Sequence, residues 1–246
     1  MLRDSFERTG NRLFKFRGQI PVVLFILAIF FIWATNYRTY SGQTTFILQL
    51  VAVLIAILGF LIRFYTIATT PKGTSGRNTK KQVAESLNVS GIYSIVRHPL
   101  YLGNYLIWLG IVWFTLNFYF VLIFSLLFWV YYERIMFAEE MFLYRKFGLS
   151  YEKWAQKVPS FFPSFKKFKR SNVPFSYKSI LRREYSGILA TVIGFVYVDL
   201  LIKAFNNELT EFPSLDALVL GITILYVFIV RTLKKKTNLL KEEDRS

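Results

Sequence analysis

The sequence predicts an all-α, polytopic membrane protein with about six transmembrane helices and both termini in the cytoplasm. Three observations carry that prediction. The 246 residues are 54% hydrophobic and have a mean hydropathy of +0.37, too apolar for an ordinary soluble domain. The apolar residues gather into runs close to the roughly 20 residues needed to cross the hydrocarbon core. All of the 31 Lys and Arg except Arg38 and Lys203 fall in segments 1–19, 63–98, 133–185 and 231–246. That asymmetry places these segments, and both termini, on the cytoplasmic side, as expected for a cell-membrane protein.

The net charge of +16 would point to nucleic acid in a soluble protein. Here the charges lie between apolar runs and suit anionic headgroups, so membrane lipids and not nucleic acid are the expected partners. Cysteine is absent. That excludes disulfides, thiolate metal sites and a Cys nucleophile, and no metal is expected.

Taken in order, residues 1–19 are a basic leader in which Phe6, Leu13, Phe14 and Phe16 interleave with Arg and Lys. They read either as a short amphipathic helix on the membrane or as a flexible tail. The following apolar run lacks a small-x-small cleavage site and is expected to be retained. The first span runs from about Pro21 to Asn36, with Pro suited to a first helical turn. The second runs from about Thr45 to Phe64. Residues 65–90 form a long polar loop whose last part, Lys80 to Leu87, is a candidate short helix. The third span starts at Pro99 and ends near Leu116. Asn117 makes a tight turn, and the fourth span begins at about Phe118 and continues as helix past Arg134 to Glu140. Residues 141–185 are aromatic and basic, broken by Pro159 and Pro163, and read as lying against the cytoplasmic leaflet. The fifth span, about Gly187 to Phe205, carries Asp199 and Lys203 at a spacing that lets them pair. The sixth covers about Leu215 to Val230. Three units follow: 1–64, the leader and two spans; 65–170, a core; and 171–246, a terminal helix pair and basic tail.

The chemistry gathers at Gly91–Gly103, Gly-Ile-Tyr-Ser-Ile-Val-Arg-His-Pro-Leu-Tyr-Leu-Gly, where a basic polar segment meets an apolar one. It holds the only histidine, His98. The hairpin around Asn117 brings a second segment to it. His98 lies 19 residues before Asn117 and Glu139 lies 22 after it, so both arms are about 28–33 Å long at 1.5 Å per residue and return to one level. Glu139 and Glu140 then meet Arg97, His98, Tyr93 and Tyr101. Ionisable groups at a membrane border are costly and usually functional. A salt bridge of Arg97 with Glu140 that merely locks the hairpin is the alternative.

The series Ser90-Gly-x-Tyr-x-x-x-Arg-His-Pro-x-Tyr-x-Gly, then Glu139-Glu140-x-x-Leu143-x-x-x-Phe147-Gly148-x-x-Tyr151, Val158-Pro159 and Pro163, resembles the isoprenylcysteine carboxyl methyltransferase family. Phospholipid methyltransferases resemble it more loosely. The likeness covers about residues 80–165. It implies an S-adenosylmethionine-dependent methyltransferase acting on a lipid or isoprenoid-like acceptor at the cytoplasmic face. By the same resemblance the cofactor is held by Leu87, Asn88, Tyr93, His98, Pro99, Leu100, Tyr101 and Glu139, with Arg97, His98 and Glu140 as the catalytic group. The prenylcysteine enzymes carry an Arg one turn before the first Glu, assigned to the acceptor carboxylate. Here that position is Ile135, and the adjacent Arg134 is the candidate acceptor-binding residue. A lipid headgroup, a lipid phosphate or a small isoprenoid acid all stay open as acceptors. Two other readings compete: a membrane sterol reductase using NADPH, which shares an Arg-His-Pro-x-Tyr-x-Gly-like element, and a transporter or scaffold whose charged ring is structural.

Overall fold

A computed structural model describes residues 1–71, 73, 82–209 and 212–242. The described residues form eight α-helices and no strand beyond an isolated antiparallel bridge between Gly91 and Lys169. Four helices are long and apolar enough to cross a membrane: Gly42–Ala68, Phe118–Phe147, Tyr177–Phe205 and Ser214–Lys236, with Val22–Trp33 and Pro99–Phe114 shorter. The chain is an integral membrane protein.

The leader is helical, α1 (Leu2–Phe16), so the flexible-tail reading falls. Its apolar face packs on α5 (Phe118–Phe147), and the pair is stitched along its length. Glu7 accepts from Arg145 at 2.5 and 2.9 Å. Phe6 meets Phe137 edge-on at 5.8 Å, and Tyr131 donates to the Leu13 carbonyl at 2.8 Å. The closest approach is at Gly10, where a Cβ would stand 2.0 Å from the Arg134 carbonyl oxygen. Gly10→Leu is therefore expected to lift α1 off α5 at a cost of about 1–3 kcal/mol, the range for overpacking. Limited trypsin digestion would show it as faster cleavage after Arg8 and Arg12.

Helix α2 (Ile20–Trp33) ends three residues before the expected Asn36. The chain beyond is held by the hairpin turn, with Asn117 donating to Thr35 Oγ1 at 2.8 Å and Tyr37 to the Thr115 carbonyl at 2.9 Å. Helix α3 (Gly42–Ala68) overruns the expected 45–64 at both ends. Ser41 caps its start by accepting from the Thr44 amide at 3.2 Å, as a serine at that position does. Four more residues of helix at its end shorten the polar loop. Within that loop residues 82–87 are not helical, which corrects the expected short helix. Lys80 and Lys81, the start of that expectation, lie outside the described residues.

Helix α4 (Pro99–Phe114) packs on α3 through small residues. A Cβ on Gly110 would fall 2.5 Å from the Ala52 carbonyl oxygen, and one on Gly59 would fall 2.7 Å from that of Gly103. Small residues let backbones approach closely where lipid supplies no hydrophobic drive between helices. Leu116 takes a left-handed φ of +56°, and Asn117 caps α5 by accepting from the Phe120 amide at 2.9 Å. Helix α5 runs unbroken past Glu140, as the sequence predicts.

The segment expected to lie flat on the leaflet does something more specific. After α6 (Leu149–Ala155) the chain runs back along residues 91–98 and clamps them. Pro159 and Ser160 carbonyls accept from the Arg97 and His98 amides at 2.9 and 3.1 Å, and the Ser164 amide donates to Ile95 at 2.9 Å. Phe162, Phe165 and Phe168 remain exposed.

Helix α7 (Tyr177–Phe205) begins ten residues before the expected Gly187. Four of those ten residues are charged, so hydropathy places them outside the span, yet Arg183 and Glu184 are buried in the helix. At the far end Asp199 and Lys203 pair as predicted, and Asp216 of α8 (Ser214–Lys236) joins them 3.8 Å from the lysine nitrogen.

Candidate functional site

The motif Gly91–Gly103 is shaped by its backbone first. Gly91 has φ +59°, a conformation that costs glycine little. A 3-10 turn at Ile92–Ser94 follows. Ser94 Oγ donates to the Gly91 carbonyl at 2.7 Å and accepts from the Lys169 amide at 2.9 Å. Trp154 Nε1 donates to the Tyr93 carbonyl at 3.0 Å. His98 then stands as the cap of α4, with Pro99 in the first turn, where a missing N–H costs nothing. The His98 side chain makes no capping bond and is turned to α5.

There it meets both acids. His98 Nε2 lies 3.0 Å from Glu140 Oε1, and Nδ1 lies 3.6 Å from Glu139 Oε2. Tyr101 donates to Glu139 Oε1 at 2.7 Å, and its ring stacks on His98 at 5.7 Å. Arg97 reaches Glu140 at 3.2 Å and the Ala155 carbonyl at 3.1 Å. The Arg97–Glu140 bridge thus exists, inside a larger network. Burial alone would lower the pKa of His98. The close Glu139 carboxylate and the hydrogen bond to Glu140, with the charges of both, outweigh it and raise the value above that of ordinary histidine. A raised folded-state value means that this contribution to stability is complete below the unfolded pKa of about 6.5 and is lost as pH rises through the folded value. The melting temperature in detergent should therefore fall on the alkaline side of that range in the wild type. His98→Gln should lack that increment, and identical profiles would contradict the ionic bridge.

A cavity of about 480 Å³ opens on this network, within the usual size of ligand pockets. Arg97, His98, Glu140, Leu87, Asn88, Tyr93, Pro99, Leu100, Tyr101 and Glu139 all line it. Arg134 does not. Its guanidinium lies 3.2 Å from the Phe6 ring centroid under α1, and its Nη1 is buried without a hydrogen bond. Arg134, the candidate acceptor-binding residue, is thus not brought to this cavity: adjacent helical residues point about 100° apart, and α1 occupies the side Arg134 faces. Ile135 is fully buried.

Sequence reasoning missed part of the cavity lining. Arg63 of α3 donates to Glu184 of α7 at 2.8 and 2.7 Å and to Asn104 of α4. A Cβ on Gly103 would lie 2.5 Å from Arg63 Cγ, so the second glycine of the motif makes room for that arginine. The signals were faint. Arg63 passes for a flanking charge at the end of an apolar run, and Glu184 is the only acid between Glu152 and Asp199.

A helical membrane protein with a charged, aromatic-lined cavity at the ends of a helical hairpin is the class that fold and site define. Residues 47–150 match the family model for phospholipid methyltransferases, and the resemblance to the isoprenylcysteine carboxyl methyltransferase and phospholipid methyltransferase family is borne out. The chain is 35% identical over 112 residues to protein-S-isoprenylcysteine O-methyltransferase of Schizosaccharomyces pombe, covering 43% of this chain and 48% of that protein. It is 32% identical over 115 residues to an Oryza sativa protein described as a probable protein-S-isoprenylcysteine O-methyltransferase, covering 46% and 60%. The chain thus spans about half the length of the relatives it matches. No solved structure gives a significant match.

Proposed function

We propose that this protein transfers a methyl group from S-adenosylmethionine to the oxygen of an isoprenoid or lipid-like acceptor at the cytoplasmic membrane face. The observation that carries the reading is the convergence of the His98 and Glu139–Glu140 motifs, from opposite arms of the hairpin, on one cavity. The names of the relatives favour O-methylation and an isoprenylcysteine-like acceptor. They lend nothing to the reductase or to the transporter and scaffold readings. The segregation of Lys and Arg supports six spans, α2 and α4 being the short ones, with both termini and the cavity mouth in the cytoplasm.

The donor set fits the cofactor's groups. Glu139 has one oxygen engaged by Tyr101 and stands at the cavity wall, suited to an ammonium group. Arg97 Nε is buried without a protein partner and can donate to a carboxylate. Tyr93, Tyr101 and Tyr132 line the cavity and supply aromatic surface for a cation. When bound, S-adenosylmethionine supplies a methyl group already activated on a sulfonium centre. The chain's own task is then to position and to exclude water. Glu140, held by Arg97 and His98, fixes the network that orients Glu139 and Tyr101. A carboxylate acceptor attacks as its anion, so no residue has to remove a proton.

Titration of purified protein with S-adenosylhomocysteine and with NADPH tests the class. The former alone is expected to bind, and binding of NADPH alone would replace this reading by the reductase.

A further inference from the structure

The strap that clamps the motif has a second side, turned away from the cavity. Beyond its bonds to Arg97, His98 and Ile95, the Gly91 amide donates to the Lys169 carbonyl at 2.8 Å and the Lys169 amide to Ser94 Oγ at 2.9 Å. Residues 159–169 are thus fixed along 91–98 by backbone. Phe165 and Phe168 stand three apart across the 3-10 turn Phe165–Lys167, the spacing that stacks side chains on one side of such a turn. With Tyr65 of α3, Ile92, Ile95 and Arg170 they line an open groove of about 590 Å³. Ile92 and Ile95 line the groove, whereas Tyr93, Arg97 and His98 line the cavity. The motif backbone is the wall between the two, and among the described residues none lines both.

The surroundings of the groove select its occupant. Phe162, Phe165 and Phe168 are each more than half exposed, and Lys166, Lys169 and Arg170 are exposed beside them. From Lys153 to Arg183 the chain carries nine Lys or Arg and no acid. Aromatic rings bordered by cations alone suit the interface of an anionic leaflet. The depth agrees. Phe162 stacks on Trp129 of α5 at 6.4 Å, and Trp129, Leu126 and Val130 are exposed apolar residues of a helix long enough to cross a membrane. Glu133 and Arg134 follow one turn later, so the strap stands where that apolar face ends.

We propose that this groove seats an anionic phospholipid of the leaflet on the cavity's side. One acyl chain lies between Phe165 and Phe168 against Ile92 and Ile95, and the phosphate meets Arg170, with Lys166 and Lys169 adding charge. A guanidinium matches phosphate oxygens with paired hydrogen bonds. The seated lipid is distinct from any methyl acceptor. It braces the strap whose carbonyls hold the Arg97 and His98 amides. The seat does not depend on the methyltransferase reading.

The test is native mass spectrometry of the full chain released from detergent micelles. It is titrated with dioleoylphosphatidylglycerol or dioleoylphosphatidylcholine, which share their chains and differ in net charge. No cofactor is present, so the outcome is separate from that of the S-adenosylhomocysteine titration. Each basic residue at an anionic surface contributes about fivefold, so the first phosphatidylglycerol is expected to bind wild-type protein about tenfold or more tightly than the first phosphatidylcholine. Lys169→Gln with Arg170→Gln is expected to cut that preference to within about threefold. Phe165→Ser with Phe168→Ser should weaken both lipids alike, by about tenfold, through lost apolar contact. Lys235→Gln with Lys236→Gln removes the same charge from the exposed end of α8 and is expected to leave the preference unchanged. All six substituted side chains are exposed, so the variants should fold. Equal binding of the two lipids to wild-type protein overturns the proposal. So does a preference that survives in the Lys169 and Arg170 variant, or one that falls as far in the Lys235 and Lys236 variant. Dimers that the Phe165 and Phe168 variant loses, with no preferred lipid adduct, would assign the groove to a second copy of the chain and overturn it as well.

Discussion

Glu139→Ala is expected to abolish measurable binding of S-adenosylhomocysteine in a protein that still folds and inserts. Two effects add. The ligand's ammonium loses a charge-assisted partner, and such hydrogen bonds contribute about 1.5–3 kcal/mol. The Tyr101 hydroxyl, which donates to Glu139 at 2.7 Å, also loses its acceptor in a buried setting. Truncating one member of a buried charged pair commonly costs about 2–5 kcal/mol of affinity, and the upper half of that range exceeds a hundredfold. Folding should survive, because the Glu139 side chain is 25% exposed and α5 remains tied to α4 through Glu140. Glu139→Gln separates the two effects. It keeps an acceptor for Tyr101 and removes the charge, so the affinity it recovers over alanine measures the hydrogen bond alone. His98→Ala is expected to fail as Glu139→Ala does, because the ring stands between Glu139 and Glu140 and holds the two carboxylates in place at the cavity. Calorimetry on detergent-purified variants reads all three, and near-wild-type affinity in Glu139→Ala and His98→Ala would sink the assignment.

The largest loss of stability is expected at Glu184. Its side chain is 3% exposed and takes both strong bonds from Arg63, itself 19% exposed. Glu184→Ala leaves that guanidinium without its carboxylate, at a cost of about 3–5 kcal/mol, whereas removing both charges in Arg63→Met with Glu184→Met should restore most of it. The Glu7–Arg145 pair offers a contrast. It is equally short, but Arg145 is 56% exposed, so Glu7→Ala should cost less than about 1 kcal/mol. Burial, and not distance, separates the two. Apparent melting temperatures in one detergent would rank them, and a Glu7→Ala loss equal to that of Glu184→Ala would contradict the argument.

The part of the fold that brings the motifs together was legible because it depends on length alone. Equal arms around Asn117 carry His98 and Glu139 to one level whatever packs around them. Helix ends were harder to read where charge is internal. Tyr177–Ser186 is too polar to count as span, yet Arg63, far away in sequence, compensates Glu184 and lets the helix start early. The leader's fate was undecidable because Phe6 and Gly10 meet Phe137 and Arg134, more than 120 residues away in sequence, on the face of α5 that carries Arg134. Arg134 illustrates the same limit: it is adjacent to the expected position, but one residue along a helix turns the side chain away. Residues such as Tyr93 and Tyr101 could be named from the motif. Arg63, Asn104 and Arg183, which complete the cavity, belong to no local pattern.

The most direct test is ultraviolet cross-linking of S-adenosylmethionine labelled in its methyl group, followed by mapping of the labelled peptide. The account predicts saturable labelling, competed by S-adenosylhomocysteine, on peptides that carry Tyr93 and Tyr101 or Tyr132 and Glu139. Saturable labelling elsewhere in the chain, or none that the competitor removes, would contradict it.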